Sequence, residues 1–249
     1  MTFPVLTSLL LALSSAPADE KGPIYELRTY TTAPGKLDVL VNRFRETNVP
    51  LFEKHGIKLI GAWTPYEADD LGDRLVYIVS FSDRDAAKVA WKAFLDDPEW
   101  KSVFGKEKET HGNVVIKGES VFLRPTDFNP PPAEGGPGRV FELRTYTASP
   151  GRLEKLLARF RDHTVELFKR HGLGSIGYGV PMDADKGADN TLTYMLAFPS
   201  RDAAKTAWKA FLDDPEWQKV KTDSQADGVP LAAKVESHYL KPTDFSPLK

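Results

Sequence analysis

One block of this chain occurs twice. Residues 25–56, YELRTYTTAPGKLDVLVNRFRETNVPLFEKHG, return 116 residues later as FELRTYTASPGRLEKLLARFRDHTVELFKRHG at 141–172, with 18 identities in 32 positions. DRDAAKVAWKAFLDDPEW at 83–100 returns as SRDAAKTAWKAFLDDPEW at 200–217, now 117 residues away, so the second copy has gained one residue in between. Each copy closes on a related tag, FLRPTDF at 122–128 and YLKPTDF at 239–245. A period this long lies far beyond a solenoid repeat and marks a duplicated domain. The units are read as residues 23–128 and 139–246. Asn129 to Gly138, NPPPAEGGPG, joins them as a linker, stiff at its Pro end and loose at its Gly end. A face that one copy leaves bare is left bare by the other as well.

The periodicities inside a unit set its element order. Ile24 to Thr31 alternates with period two and is rich in β-formers, a strand. Pro34-Gly35 opens a helix whose apolar positions Leu37, Leu40, Val41, Phe44, Leu51 and Phe52 make one stripe, repeated by Leu153, Leu156, Leu157, Phe160, Leu167 and Phe168. Gly56 and Gly172 end these helices in a left-handed cap, after His55 and His171. Strands near Lys58–Thr64 and Leu75–Phe81 follow. A second helix starts at Ser82 or Asp83 and breaks at Asp97-Pro98, where Asp suits an N-cap and Pro the first helical position. A strand over Val114–Leu123 completes the unit. The order β-α-β-β-α-β is that of ferredoxin-like folds. Helices on one face leave the other face of each sheet uncovered. The expected fold is therefore α+β: two tandem ferredoxin-like domains packed sheet to sheet as an α+β barrel within one chain.

The blocks YELRTYTTAPGKLDVLVNRF and FELRTYTASPGRLEKLLARF resemble the NIPSNAP family, and the AAKxAWKAFLDDPEW helices support the resemblance. It covers about residues 24–127 and 140–245. It implies membership of the dimeric α+β barrel group, within which cofactor-free monooxygenases, lactone isomerases and haem enzymes use the space between two sheets. It implies no reaction and no catalytic residues, because the family has no established ones.

Composition removes several function classes. There is no cysteine, which excludes disulfides, thiolate metal sites and Cys nucleophiles. A net charge of −2 lacks the basic footprint of a general nucleic-acid binder. No segment approaches the eighteen or so unbroken apolar residues of a membrane helix. The apolar run Val5–Leu13, ending in Ala16-Pro17-Ala18, reads as a signal peptide over residues 1–18. It points to a periplasmic or secreted protein, or to a cytoplasmic one if the leader is retained.

The first strand carries the candidate binding residues. Alternation separates Tyr25, Leu27 and Thr29 from Glu26, Arg28 and Tyr30. With Leu27 facing the helices, Glu26, Arg28 and Tyr30, and their copies Glu142, Arg144 and Tyr146, face the barrel interior. There they either clamp an anionic or quinone-like ligand, with Arg as a carboxylate fork and Glu or Tyr moving protons, or pair with one another and pin the domain interface. Two function classes follow: a protein binding a small ligand or partner, and a cofactor-independent monooxygenase or isomerase acting in the lumen.

Other motifs lead elsewhere. His55 and His171 read as helix caps. GLGSIG at 172–177 follows a helix and precedes a strand, the reverse of a dinucleotide site. Asp183, Asp185 and Asp189 lack the closing Glu of a calcium loop. No metal and no cofactor are expected, and a haem would have only His238 among strand histidines as a ligand. Trp63 faces, in the second copy, the Gly177-Tyr178-Gly179 stretch, a mismatch in volume that either opens a pocket on the second unit's side or is absorbed by packing. Helix faces and sheet edges leave a homodimer open.

Overall fold

The computed structural model describes residues 23–67, 72–131 and 139–249, so the proposed leader, the tip of one hairpin and residues 132–138 of the linker lie outside the described residues. In the first unit, strand β1 (Ile24–Thr32) leads into helix α1, which runs through Leu37–Arg43, a π-helical turn at Phe44–Asn48, and Val49–Lys54. Strands β2 (Lys58–Pro65) and β3 (Arg74–Phe81), helices α2 (Arg84–Asp96) and α3 (Pro98–His111), and strand β4 (Val115–Pro125) follow. The second unit repeats the series. It has β5 (Val140–Ala148), α4 (Leu153–Arg159, a π turn at Phe160–Thr164, Val165–Arg170), β6 (Gly174–Pro181), β7 (Thr191–Phe198), α5 (Arg201–Asp213), α6 (Pro215–Asp223) and β8 (Ala232–Pro242). The π turn falls at the same place in both copies.

The local chemistry is what the residue types dictate. Gly56 and Gly172 sit at φ +72° and +78°, the left-handed backbone that a side chain resists. Asp83 Oδ1 accepts from the Ala86 N–H at 2.8 Å, and Ser200 Oγ from the Ala203 N–H at 3.1 Å, capping α2 and α5. Asp97 and Asp214 cap α3 and α6 through the N–H groups of Glu99 and Glu216, with Pro at the first helical position.

All eight strands form one closed antiparallel barrel in the order β1-β3-β2-β8-β5-β7-β6-β4. Two short seams join the halves. Trp63, Thr64 and Pro65 pair with Pro242, Lys241 and Leu240, and Leu123, Arg124 and Pro125 pair with Pro181, Val180 and Gly179. Prolines at both seams withdraw ladder donors, so the seams stop at three pairs each. The tail of each unit then crosses onto the other: Ser246 Oγ accepts from the Ala62 N–H at 2.9 Å, and Asn129 Oδ1 accepts from the Tyr178 N–H at 2.7 Å.

Three apolar clusters result. Two lie between sheet and helices, around Phe44, Phe52 and Tyr77 in the first unit and Phe160, Phe168 and Tyr194 in the second. The third fills part of the barrel interior: Trp63, Val76, Phe141, Leu143, Met195 and Leu240, with Leu27 packed against it.

Candidate functional site

Leu27 belongs to the interior cluster, which inverts the expected facing of β1. Tyr25 and Leu27 look into the lumen, and Glu26, Arg28 and Tyr30 look outward, under the helices. The Glu26 carboxylate is 2% exposed. It accepts from Trp91 Nε1 of α2 at 2.6 Å, from Ser120 Oγ of β4 at 2.5 Å and from Arg28 Nη1 at 2.6 Å. Arg28 also donates to the Tyr30 hydroxyl at 3.0 Å and stacks its guanidinium 4.5 Å from the Trp91 ring.

The second unit reproduces the arrangement. Glu142 accepts from Trp208 Nε1 (2.6 Å), Ser237 Oγ (2.6 Å) and Arg144 Nη1 (2.5 Å). Arg144 donates to Tyr146 at 3.2 Å and lies 4.3 Å from the Trp208 ring. The structure thus assembles each predicted triad as a set but keeps it out of the lumen. Trp91, Trp208, Ser120 and Ser237 are the members that the sequence reading left out. The repeated helix Trp carried the signal, because a buried indole N–H needs an acceptor.

Burial works against the Arg28 cation, but the Tyr77, Tyr30 and Glu26 oxygens outweigh it and hold its pKa above the ordinary value; Tyr194, Tyr146 and Glu142 do the same for Arg144. Burial, reinforced by the neighbouring Tyr30 and Tyr146, drives the Tyr77 and Tyr194 phenols well up, so both stay neutral at physiological pH. Each carboxylate accepts from an indole N–H, a serine hydroxyl and a guanidinium.

The lumen itself is hollow on one side. Trp63, fully buried, sets its ring at a tilt against Phe141, centroids 5.3 Å apart, at the β2–β8 seam. At the β4–β6 seam the equivalent residues are Gly179 and Tyr25, and there a cavity of about 440 Å³ opens. Apolar groups such as Leu27, Ile78, Leu143, Ile176 and Met195 line it, with the side chains of Ser80 and Thr193 among the polar ones. Pro130 and Leu248, from the tails of the two units, also reach it. Lys58 is the one charged residue among those that line it. Its volume falls within the usual range for small-molecule sites.

The bulk missing from the lumen reappears on the other face of the same strand. Ala62-Trp63 in the first unit stands opposite Tyr178-Gly179 in the second. Tyr178 turns under the helices, stacked on Tyr194 with ring centroids 5.4 Å apart. Burial pushes the Tyr178 phenol up, against the Ser175 hydrogen bond.

The histidines sort as follows. His55 and His171 sit at helix ends before Gly56 and Gly172, and each Nε2 also meets the carboxylate that caps the next helix, Asp97 at 2.8 Å and Asp214 at 2.6 Å. His238 shares the lumen-side face of β8 with Leu240, but it does not line the cavity and offers no axial ligand there. Asp183 pairs with Arg84 at 2.7 Å across the units. Among the described residues no group of three or more His, Cys, Asp or Glu could hold a metal ion, and no helix is long and apolar enough to cross a membrane.

A closed eight-stranded barrel built from two copies, with helices outside and a lumen within, defines an α+β barrel protein. The NIPSNAP family model matches the chain twice, over residues 25–130 and 141–247, and the chain belongs to that family. It is 26% identical to NipSnap homolog 3B of Mus musculus over 241 residues, 95% of this chain and 90% of the mouse protein. It is 23% identical to a NipSnap protein of Caenorhabditis elegans over 236 residues, 91% of this chain but 41% of the worm protein, so it spans less than half of that relative's length. Among solved structures, a candidate monooxygenase of Lactobacillus acidophilus superposes with a TM-score of 0.59, covering 89% of this chain and 94% of its own at 13% identity. At that identity the likeness concerns the fold.

Proposed function

We propose that this NIPSNAP protein, two ferredoxin-like modules closed into one barrel, is an exported binding protein whose lumen takes an apolar small molecule. One observation carries the reading. The barrel is plugged at the Trp63 seam and left open at the Gly179 seam, where an apolar cavity of about 440 Å³ remains. Burial of apolar ligand surface supplies the affinity, at roughly 25 cal/mol per Å², and the Ser80 and Thr193 hydroxyls supply orientation. The Glu26–Arg28–Tyr30 and Glu142–Arg144–Tyr146 sets serve the barrel by fastening sheet to helices. The Val5–Leu13 run and the Ala16-Pro17-Ala18 exit support export. A chain recovered from an exporting host should begin at Asp19, and an intact N-terminus there would remove that part of the reading.

The uncharged, environment-sensitive dye Nile red tests the lumen. It should bind one per chain with a blue-shifted emission. Ile78→Trp, which puts an indole into the cavity, should abolish binding while the circular dichroism spectrum stays unchanged. Equal binding by the two proteins would place the dye elsewhere and sink the proposal. The enzymatic alternative, a cofactor-independent monooxygenase or isomerase in the same lumen, would show itself as conversion of a bound ligand rather than its unchanged release.

A further inference from the structure

The two units differ at a buried arginine. Arg43 and Arg159 occupy the same position on α1 and α4, just before the π turn, and are 7% and 8% exposed. Each lays its guanidinium 5.2 Å from a tryptophan of the next helix layer, Trp100 and Trp217. Arg43 then closes a short salt bridge to Glu107 on α3. Counted from the Asp-Pro pairs that open α3 and α6, the residue in the place of Glu107 is Ser224. Nε is unpartnered in both arginines, but among the described residues the Arg159 fork reaches only the Ser224 hydroxyl, with Nη1 3.4 Å from Oγ. The second unit keeps the buried cation and loses the anion. Burial, only partly offset by Tyr146 and Tyr194, pulls the Arg159 pKa down, as expected of a guanidinium without a counter-charge.

A cation out of water without a partner is costly, and a guanidinium fork matches a carboxylate. We infer that the second unit holds a small-anion site at Arg159, in which a compact monocarboxylate occupies the place that the Glu107 side chain fills in the first unit. Size and charge follow from the substitution. Beyond the shared Cβ, Glu carries a methylene and a carboxylate where Ser carries a hydroxyl, so the space left over is that of one carboxylate, a formate to an acetate in size. Access follows from the helix ends. α6 stops at Asp223, whereas α3 continues to His111 beyond Glu107, and Ser224 is half-buried beside the exposed Asp223. This site lies under the helices and is independent of the lumen.

Thermal melts of the full chain in rising sodium acetate, with sodium chloride run in parallel, test the inference against Ser224→Glu. Ser224 has helical backbone, φ −68° and ψ −12°, so the variant can build the ion pair of the first unit in place. In low-anion buffer Ser224→Glu should melt above wild type. Acetate should raise the wild-type midpoint and leave the variant nearly unmoved, so that the two converge. Parallel curves would overturn the site. A rise in chloride equal to that in acetate would overturn the carboxylate assignment and leave a halide site. Should Ser224→Glu fail to fold, Arg159→Leu supplies the second arm, which must lose the acetate response. Retention of that response by Arg159→Leu would also overturn the inference.

Discussion

The two units share a backbone and divide their atoms differently. Where sheet meets helix, the Glu–Arg–Tyr–Trp–Ser clusters agree to within a few tenths of an ångström from one copy to the other. Where the copies meet inside the barrel, they part company. Ala62-Trp63 sends bulk inward and Tyr178-Gly179 sends it outward. At the helix ends, Arg43–Glu107 is a closed pair and Arg159–Ser224 is not. A barrel of two identical halves would have a symmetric lumen, full or empty at both seams. Exchanging one large residue across a strand breaks that symmetry. It hollows one seam while each unit's helix-side core stays filled.

The comparison breaks most directly at the clusters, where the copies are held to be equivalent. Removing the carboxylate in Glu26→Ala or Glu142→Ala leaves an indole N–H and a hydroxyl without an acceptor and a half-buried guanidinium with only the tyrosine hydroxyl. Each change should cost about 3–5 kcal/mol, the usual price of stranding one partner of a buried ion pair. Denaturant unfolding of both variants measures it. A cost near 1 kcal/mol or less for one of them would show that the clusters are alike in geometry only.

A smaller effect should separate the copies at the seams. Gly61 and Gly177 are equivalent positions at the irregular step of β2 and β6. A Cβ on Gly61 would come within 2.3 Å of the Trp63 ring, whereas on Gly177 it would meet only Asn129 Oδ1, at 3.5 Å. Gly61→Ala should therefore destabilise by about 1–3 kcal/mol, as overpacking does, and Gly177→Ala by less than about 0.5 kcal/mol. Equal costs would mean that Trp63 can move aside and that the lumen is not plugged at its seam.

Much of this architecture was legible in the sequence because the chain states it twice. The helices were bounded by Asp83, Asp97-Pro98 and Gly56 and by their copies, residues whose backbone preferences leave little choice. The facing of β1 was misread for a physical reason. A strand buried on both sides shows alternation without showing which set points inward, and assigning the apolar Leu27 to the helices exchanged the two faces. Here the polar set lies under the helices because Trp91 brings its own donor there. The π turns left no trace in the apolar stripe of α1. The volume mismatch at Trp63 was visible, but placing it in the lumen needed the seam register of β2 with β8. The missing counter-charge of Arg159 was hidden for a similar reason, since the facing position lies 65 residues away at the end of another helix.

The weakest contrast between the copies lies in how they meet acid. Asp97 and Asp214 both cap a helix and both take a histidine Nε2, but Asp97 adds Lys54 Nζ at 2.7 Å, while Arg170 stands 3.8 Å from Asp214. The hydrogen bond from Lys54, followed by that from His55, holds the Asp97 carboxyl well below its ordinary range. For Asp214 the His171 bond leads, and the shift is smaller. A carboxyl with a depressed folded pKa contributes stability that is fully present above its unfolded value near 3.8 and is lost as pH falls towards the folded one. The wild-type midpoint should therefore drop on acidification below about pH 4. Asn preserves the helix cap and removes the charge, so Asp97→Asn should be less stable than wild type at pH 7 and draw level with it as the pH falls. Asp214→Asn should show the same convergence from a narrower starting gap. Melting curves between pH 7 and pH 2 decide it. A gap independent of pH would mean that these carboxylates act through their caps alone, and a wider gap for Asp214→Asn would reverse the order of the two units.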